Sequence, residues 1–176
     1  MKDELLDLIN EKDEIIGTVW KSEAHKIPKL IHREVAIVIF NDKGETLLQQ
    51  RSMQKKVNPG EWKVAAAGHI GSGEDPVDAI KREVQEELGI EITPVFFEKS
   101  EIYSNCLESH LTYIYYALVK DHPKITFAKN EVMATEWVKL SQLIAFSKTH
   151  NYDLKALSFK MTLKIAQKLG NIHKEL

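Results

Sequence analysis

Residues 68–90 read GHIGSGEDPVDAIKREVQEELGI, and this stretch decides how the rest of the chain is read. Asp75 is placed to cap a helix, and Pro76 suits the first helical position. Gly89 suits a left-handed C-terminal cap. Between them Val77, Ile80, Val84 and Leu88 recur at helical spacing, so the segment predicts a helix over Pro76–Leu88 with one apolar stripe against a core. Glu83, Glu86 and Glu87 stand at i, i+3 and i+4 on a neighbouring face. Three carboxylates within about one turn repel one another, and the C-terminal end of a helix dipole is already negative. Arg82 supplies a single compensating charge. A solvated acidic surface is the ordinary explanation of such a run. A hard divalent cation with oxygen ligands is the alternative, and it would resolve the repulsion.

The flanking residues choose between these. Gly68, Glu74, Arg82-Glu83-Val84, Glu86-Glu87 and Gly89-Ile90 resemble the Nudix box: Gly, five residues, Glu, seven residues, then Arg-Glu-apolar-x-Glu-Glu-x-Gly-apolar. The resemblance implies an α/β fold, the Nudix α/β/α sandwich with a mixed β-sheet between helices. It also implies metal-assisted hydrolysis of a diphosphate linkage in a small molecule, such as a nucleoside diphosphate derivative. Glu83 and Glu87 would hold Mg²⁺ or Mn²⁺, with the Gly68 carbonyl beside them. Glu86 would be a ligand or general base. Arg82 would orient the glutamates and Glu74 would brace the turn into the helix.

Outward from the box, strand-like runs cover Glu14–Trp20, Glu34–Phe40, Thr46–Gln50, Val64–Ala67, Phe96–Tyr103, Leu111–Val119 and Thr135–Lys139. A second helix is expected over Leu154–Leu169, with Leu157, Met161, Ile165 and Leu169 spaced by four, and a short one near Leu140–Phe146. No linker or repeat interrupts the 176 residues, so one domain over 1–176 is expected. A net charge of −2 favours neither a nucleic acid polymer nor an anionic membrane as partner. No apolar run approaches the roughly 20 residues of a membrane span. The N-terminal stretch is acidic and lacks a signal-peptide core. Cys106 is the only cysteine, which excludes an internal disulfide and suits a cytoplasmic protein.

His32-Arg33-Glu34-Val35, Leu47-Leu48-Gln49-Gln50-Arg51-Ser52, Lys55, Pro59-Gly60-Glu61-Trp62 and Ala67-Gly68-His69 together resemble the isopentenyl-diphosphate isomerase-like branch of the family, over about Glu11–Ser141. That branch raises allylic isomerisation as the alternative to hydrolysis. Its isomerases place a proton-donating cysteine directly before the Gly-His pair, where this chain has Ala67, and alanine has no proton to exchange. Glu108-Ser109-His110 stands where the branch has Glu-x-Glu. The isomerases depart from the full box, which this chain keeps, so hydrolysis is the expected reaction. A non-catalytic binding module is the third class, and the intact glutamate set speaks against it.

The same resemblance implies that Arg51 and Lys55 contact the diphosphate. Lys56 reads as solvated and Trp62 as a packing residue. Glu131 is the expected extra glutamate supplying a base or ligand, with Glu136 competing. His25, His32, His69, Glu108 and His110 form a partial match to the branch's second metal site, and imidazole ligation suits a transition metal better than Mg²⁺. The alternative is histidines packed around a strand start. His122, His150 and His173 show no pattern. A homodimer is compatible with the family.

Overall fold

The computed structural model describes residues 3–175, with side chains through residue 170. In chain order the elements are β1 (Leu5–Ile9), β2 (Ile15–Trp20), α1 (Lys21–Ala24), β3 (Ile31–Asn41), β4 (Glu45–Arg51), β5 (Trp62–Val64) and β6 (Ala66–His69). There follow α2 (Pro76–Leu88), β7 (Val95–Lys99), β8 (Tyr103–Ser104), β9 (Ser109–Val119), β10 (Val132–Lys139), a 3-10 turn (Leu140–Gln142), α3 (Leu143–Thr149) and α4 (Leu157–Glu175).

Strand β3 organises the sheet. Along one side it pairs in parallel with β9 over its whole length, from Ile31 opposite Ser109 to Asn41 opposite Val119. Along the other side it meets β1 at Ile31, β6 from Glu34 to Ile37 and β4 at Phe40, all antiparallel. Successive side chains of a strand point to opposite faces. Val35, Ile37 and Ile39 accordingly pack with Ile80, Val84 and Leu88 of α2. Ala36, Val38 and Phe40 pack with Met161 and Ile165 of α4. Burial on both faces is why β3 reads as an unbroken apolar run rather than an alternating one. The result is a mixed sheet between helices, the α/β/α sandwich expected from the box.

Helix α2 is bounded as its sequence demands. Asp75 Oδ1 accepts the Val77 N–H at 2.7 Å, and Gly89 adopts φ 65°. A Cβ on Gly89 would come within 2.5 Å of the Thr126 carbonyl oxygen, so both backbone conformation and space require glycine there. Ile80, Val84 and Leu88 are fully buried. At roughly 1.5–3 kcal/mol for each such side chain, this stripe holds the helix on the sheet.

Several boundaries differ from the sequence expectations. The Val64–Ala67 run is two strands, because β5 pairs with β4 while β6 crosses to β3. The Phe96–Tyr103 run likewise divides into β7 and β8, each paired with β9. Strand β1 and helix α1 were not expected. The latter is four residues long without a side-chain cap, too short for a period to show. Helix α4 starts at Leu157 rather than Leu154 and runs to Glu175. The side chain of His173 lies outside the described residues. Among the described residues no helix is long and apolar enough to cross a membrane.

Candidate active site

Two groups of titratable side chains flank β6. The first belongs to α2. Glu87 is buried at 7% exposure although it is a carboxylate. Its Oε2 accepts Gln49 Nε2–H at 2.6 Å and the Ala67 N–H at 3.2 Å. The Glu83 carboxyl lies directly on Gly68, where a Cβ would stand 2.1 Å from its Cδ. Glycine at the start of the box is what leaves room for the Glu83 carboxyl in this seat. Arg82 ties the region together. It donates to Glu83 Oε1 at 2.6 Å, to both Glu74 oxygens at 2.9 and 3.0 Å, and to the His69 carbonyl at 3.0 Å. Glu74 also accepts the Gly71 N–H at 2.8 Å, so it does brace the loop before α2. Glu86 points outward, with its side chain 59% exposed and Arg82 Nη1 at 3.5 Å.

Burial pushes the Glu83 carboxyl up to about 7, and the charges of Glu87 and Glu86 add to the rise while Arg82 opposes it. A glycine-floored cradle around desolvated, mutually repelling carboxylates fits an oxygen-ligated divalent cation. Glu83 and Glu87 face it and Glu86 stands at its rim.

The second group lies on the other side of the sheet. His32 and Glu34 share the face of β3 that carries Ala36. His69 ends β6 opposite Glu34, and His110 lies on β9 opposite His32. His25 follows α1 and Glu108 precedes β9. His25 Nε2 is 2.9 Å from His69 Nε2 and 3.1 Å from Glu108. Glu34 lies 3.4 Å from both His69 and His110. The donor atoms of His25, His32, His69 and Glu108 all fall within 4.8 Å of one another, as do those of His32, Glu34, Glu108 and His110. His32 Nε2 and His110 Nδ1 are buried without a hydrogen-bond partner. Burial lowers His32 to about 4 and His69 well below its ordinary value, which keeps both neutral near pH 7. Neutral imidazoles with an orphaned buried nitrogen fit a transition metal. The five residues expected from sequence come together. Glu34 joins them, and its place opposite His69 in the β3–β6 ladder is what sequence reasoning could not supply.

The remaining expected residues Arg51, Lys55 and Glu131 find their partners elsewhere. Lys55 and Glu131 form an ion pair with each other, and among the described residues neither bonds to α2. Glu131, expected as an extra base or ligand, has its backbone carbonyl on the Ser52 N–H and its carboxylate on Lys55 of the β4–β5 loop. Arg51 Nε and Nη2 donate to the Val57 carbonyl at 3.1 and 3.0 Å, which closes the same loop. Trp62 is 5% exposed and meets Phe146 edge-on, a packing residue as expected. Sequence reasoning missed Gln49 and Lys63. They are paired across β4 and β5, and Gln49 is wholly buried yet polar. Its signal was its parity with core-facing Leu47, which turns it toward α2.

A family model described as NUDIX domain matches residues 30–158. Over 145 residues the chain is 31% identical to isopentenyl-diphosphate Delta-isomerase of Streptomyces griseus, covering 79% of this chain and 73% of that protein. Identity to the isopentenyl-diphosphate Delta-isomerase of Escherichia coli is 31% over 150 residues, covering 82% of this chain and 81% of that one. Among solved structures, DR0079 from Deinococcus radiodurans superposes with a TM-score of 0.68 at 25% identity, over 83% of this chain and 90% of its own. The Streptomyces griseus and Escherichia coli relatives are named as isomerases. They stand on the side of the alternative reaction and lend no support to hydrolysis over isomerisation, a preference that rests on the site residues alone. With most of its length inside the matched model and the diagnostic helix intact, the chain belongs to the Nudix family of enzymes.

Proposed function

We propose that the protein hydrolyses a diphosphate linkage in a small molecule. Water attacks one phosphorus, the bridging P–O bond breaks, and the products are two phosphate-bearing fragments or a monophosphate and orthophosphate. Position 67 carries this reading. The Ala67 methyl shares a face of β6 with His69 and so stands beside the imidazole group, where the isomerase-like resemblance calls for a cysteine. A methyl group neither donates nor accepts a proton.

Glu83 and Glu87 would hold the divalent ion with the Gly68 carbonyl, and Arg82 positions Glu83. Mg²⁺ or Mn²⁺, when bound, supplies Lewis acidity toward phosphoryl oxygens and water. Glu86, outward and largely exposed, takes the proton from water. Arg51 and Lys55 meet the phosphates after exchanging their present partners, the Val57 carbonyl and Glu131. Glu131, released in that exchange, is the second base. A single exposed thiol, Cys106, accords with a cytoplasmic enzyme.

Isomerisation of isopentenyl diphosphate is the second reading. The names of the curated relatives favour it, as does the histidine and carboxylate group beside position 67. One pair of assays separates the two. Phosphate release is screened over a library of diphosphates with Mg²⁺ and Mn²⁺, and isopentenyl diphosphate is incubated with the protein in deuterated water and followed by NMR. Product release without deuterium uptake is expected. Catalysed uptake of label into isopentenyl diphosphate would transfer the assignment to the isomerase.

A further inference from the structure

Lys63 is a charged residue that neither reaction accounts for. On β5 its neighbours Trp62 and Val64 turn toward α3 and α4, so Lys63 turns the other way, toward α2. Its side chain is only 15% exposed. Its Nζ stands 3.8 Å from Glu87 Oε1 and 3.4 Å from the Ala67 carbonyl oxygen. A committed ammonium–carboxylate bond is about 2.7–2.9 Å long. Lys63 is therefore nearly desolvated, beside the buried carboxylate it neutralises, yet bonded tightly to nothing. The other contacts of Glu87, from Gln49 and Ala67, both fall on Oε2. Oε1 thus faces the lysine. The Lys63 charge also reaches Glu34, where it works against the rise that burial imposes. A flexible, point-like cation held loosely beside Glu87 is suited to changing partners.

We propose that Lys63 is an exchangeable counter-cation: it neutralises Glu87 before metal binds, yields Oε1 to the divalent ion, and then binds a phosphoryl oxygen of the diphosphate. This rests on the metal assignment made above for Glu87. Two opposite effects follow from one substitution. Without substrate the lysine competes with the metal, so Lys63→Met tightens metal binding. With metal present the lysine is a phosphate ligand, so the same substitution weakens diphosphate binding.

The probes are Mn²⁺, followed by the electron paramagnetic resonance of the free ion, and methylenediphosphonate, whose P–C–P bridge resists hydrolysis, followed by calorimetry at saturating Mn²⁺. Glu87→Gln reports Mn²⁺ held elsewhere, which is subtracted. For Lys63→Met we expect Mn²⁺ affinity to rise by about 5-fold and methylenediphosphonate affinity to fall by about 10-fold, the scale of one ionic contact. Lys63→Arg keeps the charge and should retain most of the diphosphonate affinity, and Lys63→Gln repeats the test if the methionine variant unfolds. Affinities that both fall, or both stay unchanged, would show a merely structural lysine and overturn the proposal. Wild-type Mn²⁺ binding that persists undiminished in Glu87→Gln would instead remove the metal assignment, and the exchange with it.

Discussion

The glutamates of α2 and the imidazole group of β3, β6 and β9 are both dense in metal-ligating atoms, but they are built in opposite ways. The glutamates come from one helix, within one turn and a half, and face the side of the sheet that α2 covers. The imidazole group gathers residues from four separate segments on the other side. The helix group is charged, crowded and dependent on Arg82 for partial relief. In the imidazole group burial lowers His32 and His69, which keeps these two neutral near pH 7. A group of like charges gains most from a hard dication. A group of neutral nitrogens selects a softer one. The two regions should therefore respond differently to substitution, pH and chelation.

The largest expected difference is in rate. Glu87→Gln should lower hydrolysis by at least about 100-fold, equivalent to about 2.7 kcal/mol of barrier. Replacing both His25 and His32 by alanine should cost less than about 10-fold in the same phosphate-release assay. The reverse ranking would place the reaction at the imidazole group.

Gly68→Ala tests the floor between the regions. Its Cβ would meet the Glu83 carboxyl at 2.1 Å, so the carboxyl must leave its seat. The carboxyl ends a flexible side chain that can turn aside, so we expect a stability loss of about 1 kcal/mol or less by chemical denaturation, at the low end of overpacking costs. We also expect weaker Mn²⁺ binding. Wild-type stability together with wild-type Mn²⁺ affinity would show that Glu83 does not need that seat.

A pH dependence distinguishes the charged region from the neutral one. Glu83 is raised from 4.5 to about 7 in the folded, metal-free protein. Between those values the folded state holds the extra proton, so the stabilisation is complete below pH 4.5 and is lost as pH rises through about 7. Glu83→Gln should therefore unfold with wild-type stability near pH 4.5 and be more stable by about 1–3 kcal/mol at pH 8. Added Mg²⁺ should reverse the difference at pH 8. His32, lowered from 6.5 to about 4, has the opposite dependence: its contribution is present above pH 6.5 and is lost as pH falls through about 4. A metal-free Glu83→Gln variant no more stable than wild type at pH 8 would remove the repulsion from the account.

The smallest effect concerns composition rather than rate. After mild chelation the wild type should retain a transition metal by mass spectrometry, and the His25→Ala/His32→Ala variant should lose it. Equal retention, or none in either protein, would make these histidines packing residues.

What was legible in the sequence tracks how locally each feature is encoded. The limits of α2, its apolar stripe and its cap residues depend on neighbours within a few positions, and Asp75, Pro76 and Gly89 occupy their expected places. The two faces of β3 were legible only as an apolar run, because burial on both sides erases the alternation that would separate them. Of the three glutamates at helical spacing, the sequence could not say that Glu87 is buried and bonded to Gln49 while Glu86 faces solvent. That difference is set by β4 and β6 lying under one edge of the helix. Glu131 shows the converse: its position along the chain suited a base, but its ion pair with Lys55, set by the pairing of β10 with β4, could not be read from it. Glu34 and Lys63 became site neighbours only through strand register, which brings Glu34 opposite His69 and Lys63 opposite Gln49. By itself, then, the sequence determined the helix, its family and the absence of a protic group at Ala67, since each is a matter of residue type at short spacing. The tertiary structure decided which carboxylates are desolvated, which imidazoles meet and where the spare lysine points, because strand pairing joins residues far apart in the chain and burial sets their charge.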